Sequence, residues 1–150
     1  MTRGDAATDL DTTPISAADY AMYAAIMGGA SAILSTLSPA DREALALAKK
    51  VDAGQAKATP DTEAMLAQAR ALQSKDIELA RVQGIEERYV RVKARIEAVI
   101  GPGAKPPAAD DAVGKENLRF LEPHKGNIER LQRILRDPLL PRDERTTSDF

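Results

Sequence analysis

The chain has no cysteine, no tryptophan and a single histidine, His124, in 150 residues. Without thiols there is no disulfide, no thiolate nucleophile and no cysteine-bound zinc or iron-sulfur centre. One histidine cannot supply the paired Glu-x-x-His ligands of a carboxylate-bridged helical bundle. A Ser-His-Asp triad would have to be built on the turn "LEPHKG" beside Pro123, and His124 reads instead as a solvated turn residue. Phosphate-cradling glycine motifs are also missing, and Glu86 and Glu87, adjacent in a helix, point about 100° apart and form no catalytic pair. The expectation is a protein without catalytic residues, metal or cofactor.

Aromatic residues make up only 3% of the chain, so a core must be assembled from Ala, Leu, Ile, Val and Met. That palette is helical. Alanine occurs 27 times against two asparagines, and Arg outnumbers Lys 13 to 8, as expected of a GC-rich bacterial or phage gene. The length suits one ordinary domain. No segment alternates with period two, which excludes visible strands, and there is no internal repeat.

The net charge of −2 exerts no long-range pull on nucleic acid or anionic lipid. Arg70, Lys75, Arg81, Arg88, Arg91, Lys93 and Arg95 are interleaved with Asp61, Glu63, Asp76, Glu78, Glu86, Glu87 and Glu97. That leaves no uncompensated stripe to track phosphates, and no nucleic-acid partner is expected. The start "MTRGDAATDLDTTP" lacks a basic region followed by an apolar run, so a cytoplasmic chain or a component of a macromolecular assembly is expected. Its "RGD" is a three-residue match in a polar stretch and carries no weight.

Five segments follow from punctuation and periodicity. Residues 1–15 read as a disordered arm. Residues 16–100 read as a helical bundle or hairpin. Its first helix is opened near Ala17 by a Ser16/Asp19 capping box and ends near Leu37. A second helix starts with Ser38 as N-cap and Pro39 in the first turn and ends between Val51 and Lys57. A long third helix spans Pro60 to Ile100. Residues 101–112 form a Pro/Gly/Ala linker. Residues 113–136 form an amphipathic C-terminal helical segment broken near "EPHKG", and 137–150 an extended tail.

The third helix carries Val82, Ile85, Tyr89, Val92, Ile96 and Val99 at coiled-coil spacing, a candidate interaction seam. Upstream, Met65, Ala69, Leu72, Asp76 and Leu79 keep the same rhythm one residue out of phase, with the slip beside Gly84, read as a tolerated glycine in a continuous helix or as a hinge. The C-terminal stripe of Leu118, Leu121, Ile128, Leu131, Ile134 and Leu135 either folds back or docks elsewhere.

The least ordinary stretch is "YAMYAAIMGGASAILSTL", eighteen residues without a charge. On a helical wheel the large residues share one side and Ala, Gly, Ser and Thr the other. The small side, with Ala21, Ala25, Gly28, Gly29 and Ala32, suits close approach of another backbone. Its two glycines weaken an isolated helix by roughly 2 kcal/mol relative to alanine, so contact is needed to hold it. That contact comes from this chain, from another subunit or, as the weakest of three readings, from a bilayer, since a span needs about 20 predominantly apolar residues.

The sequence therefore predicts an all-α protein, a hairpin or bundle with one long coiled-coil-like helix and a linker-tethered C-terminal helix. Its expected role is a non-enzymatic structural or adaptor subunit in a homo-oligomer or multiprotein assembly. The other reading is a small helical binding protein that holds an apolar ligand or lipid against the first helix.

Overall fold

The computed structural model describes residues 13–139, and among these every regular element is helical. The helices are α1 (Ala17–Leu34), α2 (Pro39–Asp52), α3 (Glu63–Gln73), α4 (Lys75–Val82), α5 (Glu86–Val99), α6 (Ala112–Leu121) and α7 (Lys125–Arg136). Single 3-10 turns, Pro60–Thr62 and Glu122–His124, precede α3 and α7.

Both serine caps form as the local sequence demands. The hydroxyls of Ser16 and Ser38 accept the backbone N–H of Asp19 and Asp41, and those carboxylates accept the cap N–H in return. Each box satisfies two amides that a helix start otherwise leaves orphaned. Helix α1 ends at Leu34, three residues short of Leu37, where the Ser35 hydroxyl donates to the Ser31 carbonyl at 2.8 Å. Serine so placed competes for the carbonyl that would continue the helix.

The expected long helix from Pro60 to Ile100 is instead three helices. The first interruption is Ser74, whose hydroxyl bonds back to the Arg70 carbonyl at 2.9 Å. The second is a reversal at Gly84, which takes φ +74, a left-handed backbone that suits glycine. The Ile85 N–H reaches the Ala80 carbonyl at 2.9 Å and the Gly84 N–H the Arg81 carbonyl at 3.0 Å, the paired bonds of a helix-terminating Schellman turn. Asp76 and Tyr89 then touch at 2.6 Å, whereas thirteen residues of unbroken helix would separate them by about 20 Å. The phase slip marks a helical hairpin and not a bend in one rod.

Helix α1 lies at the centre of the body and packs against α7, α4 and α5, while α6 lies on α5. Its large side supplies Tyr23, Ile26, Met27, Ala30 and Leu34 to a core completed by Tyr89, Ile96, Ile100, Leu121, Ile128 and Ile134. Helices α2 and α3 form a second hairpin that packs chiefly on itself through Ala44, Leu45, Ala48, Ala69 and Leu72.

The C-terminal helices fold back onto the body and are integral to it. Leu121, Ile128, Leu131, Ile134 and Leu135 are buried and Leu118 is partly so. The connecting residues 101–111 are irregular but pinned, with the Lys105 N–H on the Ala98 carbonyl at 3.3 Å and Asp111 capping α6 through the Gly114 N–H at 2.8 Å. Ile15, which the sequence assigns to the polar arm, is also a core residue. Its N–H donates to the buried Asn117 Oδ1 at 2.7 Å, tying the entry of α1 to α6. Residues 1–12 and 140–150, which hold most of the expected arm and tail, lie outside the described residues.

No single helix among the described residues is long and apolar enough to cross a membrane, and α1 and α2 meet the test only as a pair bent by 108° at their break.

Candidate functional site: a buried polar centre beside a cleft

The sequence-derived positions separate into buried and open sets. In the expected seam, Tyr89, Val92 and Ile96 are buried and Val99 is partly buried, all on α5 facing the body. Ile85 is half-buried in the turn, and Val82 sits at the hairpin tip with 79% of its surface exposed. The six therefore do not form one stripe.

On α1 the small side faces outward. Ala21, Ala25 and Ala32 are exposed, and a Cβ added at Gly28 would meet nothing within 4 Å. Among the described residues Gly29 alone of this set is approached closely, since a Cβ there would stand 3.3 Å from Leu79 Cδ1. The close-packing expected of this face is thus absent from the described chain except at Gly29. Sorting by size separates most exposed from buried positions, but Ser31 of the small side is buried and Ile33 of the large side is 39% exposed. An alanine face tolerates water without cost to a helix, so smallness alone does not mark burial.

His124 does more than a solvated turn residue. Its ring stacks on Tyr20 of α1 at 4.2 Å between centroids, and Phe120 stands edge-on to both, at 6.5 Å from Tyr20 and 6.1 Å from His124. The break between α6 and α7 is thereby fastened to α1.

The most chemically distinctive feature was assigned no role by sequence reasoning. Asp76 on α4 is 1% exposed. Its Oδ2 accepts the Tyr89 hydroxyl at 2.6 Å and the Lys93 ammonium at 2.8 Å, both from α5. Taking a carboxylate out of water costs several kcal/mol unless charge and hydrogen bonds compensate, and the hairpin supplies both. Burial, reinforced by the Asp76 charge, pushes the Tyr89 phenol well above its ordinary value of 10.0, so Tyr89 acts as the donor. Tyr23 lies parallel to Tyr89, 6.2 Å between centroids, and its phenol is likewise raised by burial.

A second buried polar group, Gln132 on α7, donates from Nε2 to the Ile100 carbonyl at 3.0 Å and reaches the Tyr23 hydroxyl at 3.5 Å. Its Oε1 has no hydrogen-bond partner among the described residues, a local cost of about 1–3 kcal/mol. That oxygen lies against Gly101, where a Cβ would come within 3.0 Å and where φ is +139. Any other residue at position 101 would strain the backbone and displace the Gln132 amide by a few tenths of an ångström.

Beside this centre opens a cavity of about 360 Å³ lined by Met27, Gln73, Lys93, Glu97, Gln132 and Arg136, among others. A second hollow of about 270 Å³ shares Gln73 and Arg136 with it and continues between α2 and the end of α7, past Lys49 and Asp137. Together they form a cleft between the α2–α3 hairpin and the body. Glu97 is half-buried on its wall. Burial raises its pKa above the ordinary 4.5, Asp76 adds to the rise, and Lys93 opposes it.

Two signals in the sequence point here: Asp76 occupies an apolar position of the heptad rhythm, and Gln132 sits inside the C-terminal apolar stripe. No group of three or more His, Cys, Asp or Glu residues among the described residues could hold a metal ion. Comparison of the chain with protein-family models, with curated proteins and with solved structures gives no match.

Proposed function

We propose that the protein is a non-enzymatic structural or adaptor subunit that works by helix-helix packing, and that the small face of α1 is its contact surface. The observation that carries this reading is a solvent-facing, charge-free strip on α1. Ala21, Ala25 and Ala32 are exposed, Gly28 has open space, and Ile33 at the margin is 39% exposed. Elsewhere the outer faces of α3 and α5 carry arginine and glutamate, as an ordinary solvated helix does. A strip of small residues lets a second helix come close over its whole length.

The natural occupant is the same face of a second copy, in a bacterial or phage assembly as the composition suggests. Two such strips are self-complementary, as a two-fold interface requires. The alternative, an apolar ligand or lipid held against α1, is less well supported. The large side of α1 is already filled by the chain itself, with Tyr23, Ile26, Met27 and Leu34 all at 2% exposure or less.

Light scattering over a range of concentrations tests the proposal. Wild type is expected to gain mass with concentration, and Ala25→Lys to stay monomeric with an unchanged melting temperature. A wild type that remains a monomer throughout removes the self-association reading. An Ala25→Lys variant that associates like wild type removes the α1 face.

A further inference from the structure

The larger cavity contains two charges that no described residue pairs directly. Among the described residues, Glu97 on α5 and Arg136 at the end of α7 make no side-chain hydrogen bond or ion pair, yet both line the same space. Lys93, the third charge on the wall, does not answer Glu97 directly because its ammonium is held by Asp76 at 2.8 Å. A carboxylate left half-buried without a donor is a cost to the fold, and its raised pKa is the sign of that cost. Most other charges near the cleft are paired: Lys49 with Asp137 at 3.3 Å, and Asp52 with Arg70 through two bonds of 2.8 and 3.0 Å.

The signs narrow the occupant. Asp76 and Lys93 cancel, and Glu97 and Arg136 cancel, so the cavity is neutral overall while offering one unsatisfied site of each sign. A simple anion would meet Glu97 unfavourably, and a simple cation Arg136. A purely apolar molecule would cover the half-buried Glu97 carboxylate without offering it a donor. Met27, Leu135 and Pro102 give the rest of the wall an apolar surface. The volume of about 360 Å³ is at the small end of the range for ligand pockets.

We propose that this cavity binds a compact zwitterion, a free α-amino acid with an apolar side chain, its ammonium at Glu97, its carboxylate at Arg136 and its side chain against Leu135 and Pro102. Guanidinium suits a carboxylate because its planar donors can meet both oxygens. Arg136 is exposed and free to swing onto the ligand, and Gln73 and Gln132 flank the space with amide groups. The site is independent of the α1 face, so either can fail while the other stands.

Calorimetric titration of the full chain with each of the common free L-amino acids, at millimolar concentration, tests the assignment. The best binder is compared with two analogues of the same side chain, the amine lacking the carboxylate and the acid lacking the amine. Saturable binding of at least one apolar amino acid is expected. It should weaken tenfold or more in Glu97→Gln and in Arg136→Gln, and by a similar factor when either charged group is removed from the ligand, as loss of one charge-assisted hydrogen bond predicts. Lys49→Gln, outside the larger cavity, should bind as wild type. The proposal is overturned if no amino acid binds, if the singly charged analogues bind equally well, or if Glu97→Gln and Arg136→Gln, melting as wild type or above, keep full affinity.

Discussion

The α2–α3 hairpin and the body built around α1 are both layers of antiparallel helices, but they are held together by different chemistry. The body interlocks large side chains, Tyr23, Tyr89, Ile26, Met27, Leu34, Ile96 and Ile128, around a buried carboxylate answered by a partly exposed lysine. The hairpin closes mainly over alanines, Ala44, Ala48 and Ala69, with Leu45 and Leu72 as its larger buried contacts. Small residues let backbones approach, but each removes little apolar area from water, and stabilisation scales with that area at roughly 25 cal/mol per Å². The body is therefore the strong unit and the hairpin the weak one. The difference teaches why the cleft lies where it does: it opens along the seam where a firmly packed layer meets a loosely packed one. The Lys49–Asp137 pair spans that seam, with a lysine side chain that is 67% exposed, and such a pair contributes at most about 1 kcal/mol.

The largest effect tests the body. Lys93→Ala leaves the Asp76 carboxylate buried with only the Tyr89 hydroxyl for company, and breaking a buried pair from that side costs about 3–5 kcal/mol. Leu45→Ala in the hairpin should cost about 2 kcal/mol, at the bottom of the range for buried leucine. Urea denaturation of both variants checks the order, and a hairpin variant that proves the more damaging reverses the comparison. Native-state hydrogen exchange sharpens it further, because amides of α2 and α3 should open at lower free energy than those of α1 and α5.

Two glycines give a matched pair of intermediate size. Gly84 in the body and Gly54 at the end of α2 share φ values of +74 and +75, and neither has an atom within 4 Å of an added Cβ. Alanine at either site meets only the left-handed backbone penalty, about 1–2 kcal/mol. Gly84→Ala should lower global stability by that amount. Gly54→Ala should appear chiefly as faster exchange within the hairpin.

A smaller effect follows from Glu97. Its pKa is raised in the folded state, so the native protein holds this proton more tightly than the unfolded chain. The stability linked to it is fully present below the ordinary value of 4.5 and is lost as pH rises through the folded value. Glu97→Gln should raise the melting temperature at pH 7, and the gain should vanish when the melts are repeated near pH 4. Asp19 titrates with the opposite sign. Burial opposes its ionisation, but hydrogen bonds from Arg88 and from the Ser16 backbone and hydroxyl outweigh it and lower its pKa. Arg88→Gln should therefore be slightly destabilising at neutral pH and silent in strong acid. The smallest change is expected of Lys49→Ala, a few tenths of a kcal/mol, readable only as faster exchange along the cleft.

What could be seen in the sequence was what local chemistry decides. Ser16, Ser38 and Pro39 set helix starts because a cap bonds within three residues of itself. The break near Pro123 was visible for the same reason. Gly84 was ambiguous, since a one-residue slip of phase is consistent with overwinding, a bend or a full reversal. The choice depends on Asp76 meeting Tyr89 and Lys93 across the turn, a pairing no local window contains. Ile15 was missed because its neighbours are polar and its partner, Asn117, lies 102 residues away. The faces of α1 were separable by size, but freedom from charge does not say which side meets water. The cleft was least legible, because Glu97, Gln132 and Arg136 look like ordinary surface residues until the helices bring them together.

The reversal at Gly84 also bears on the order of assembly. The contacts that neutralise Asp76 close over only 13 and 17 residues, and loop-closure entropy grows slowly from a small value at such separations. The α4–α5 hairpin can thus pair its charge as a nearly local event, before the long-range docking of α7 on α1. A nascent chain would then carry its costliest group already matched when the slower, distant contacts arrive.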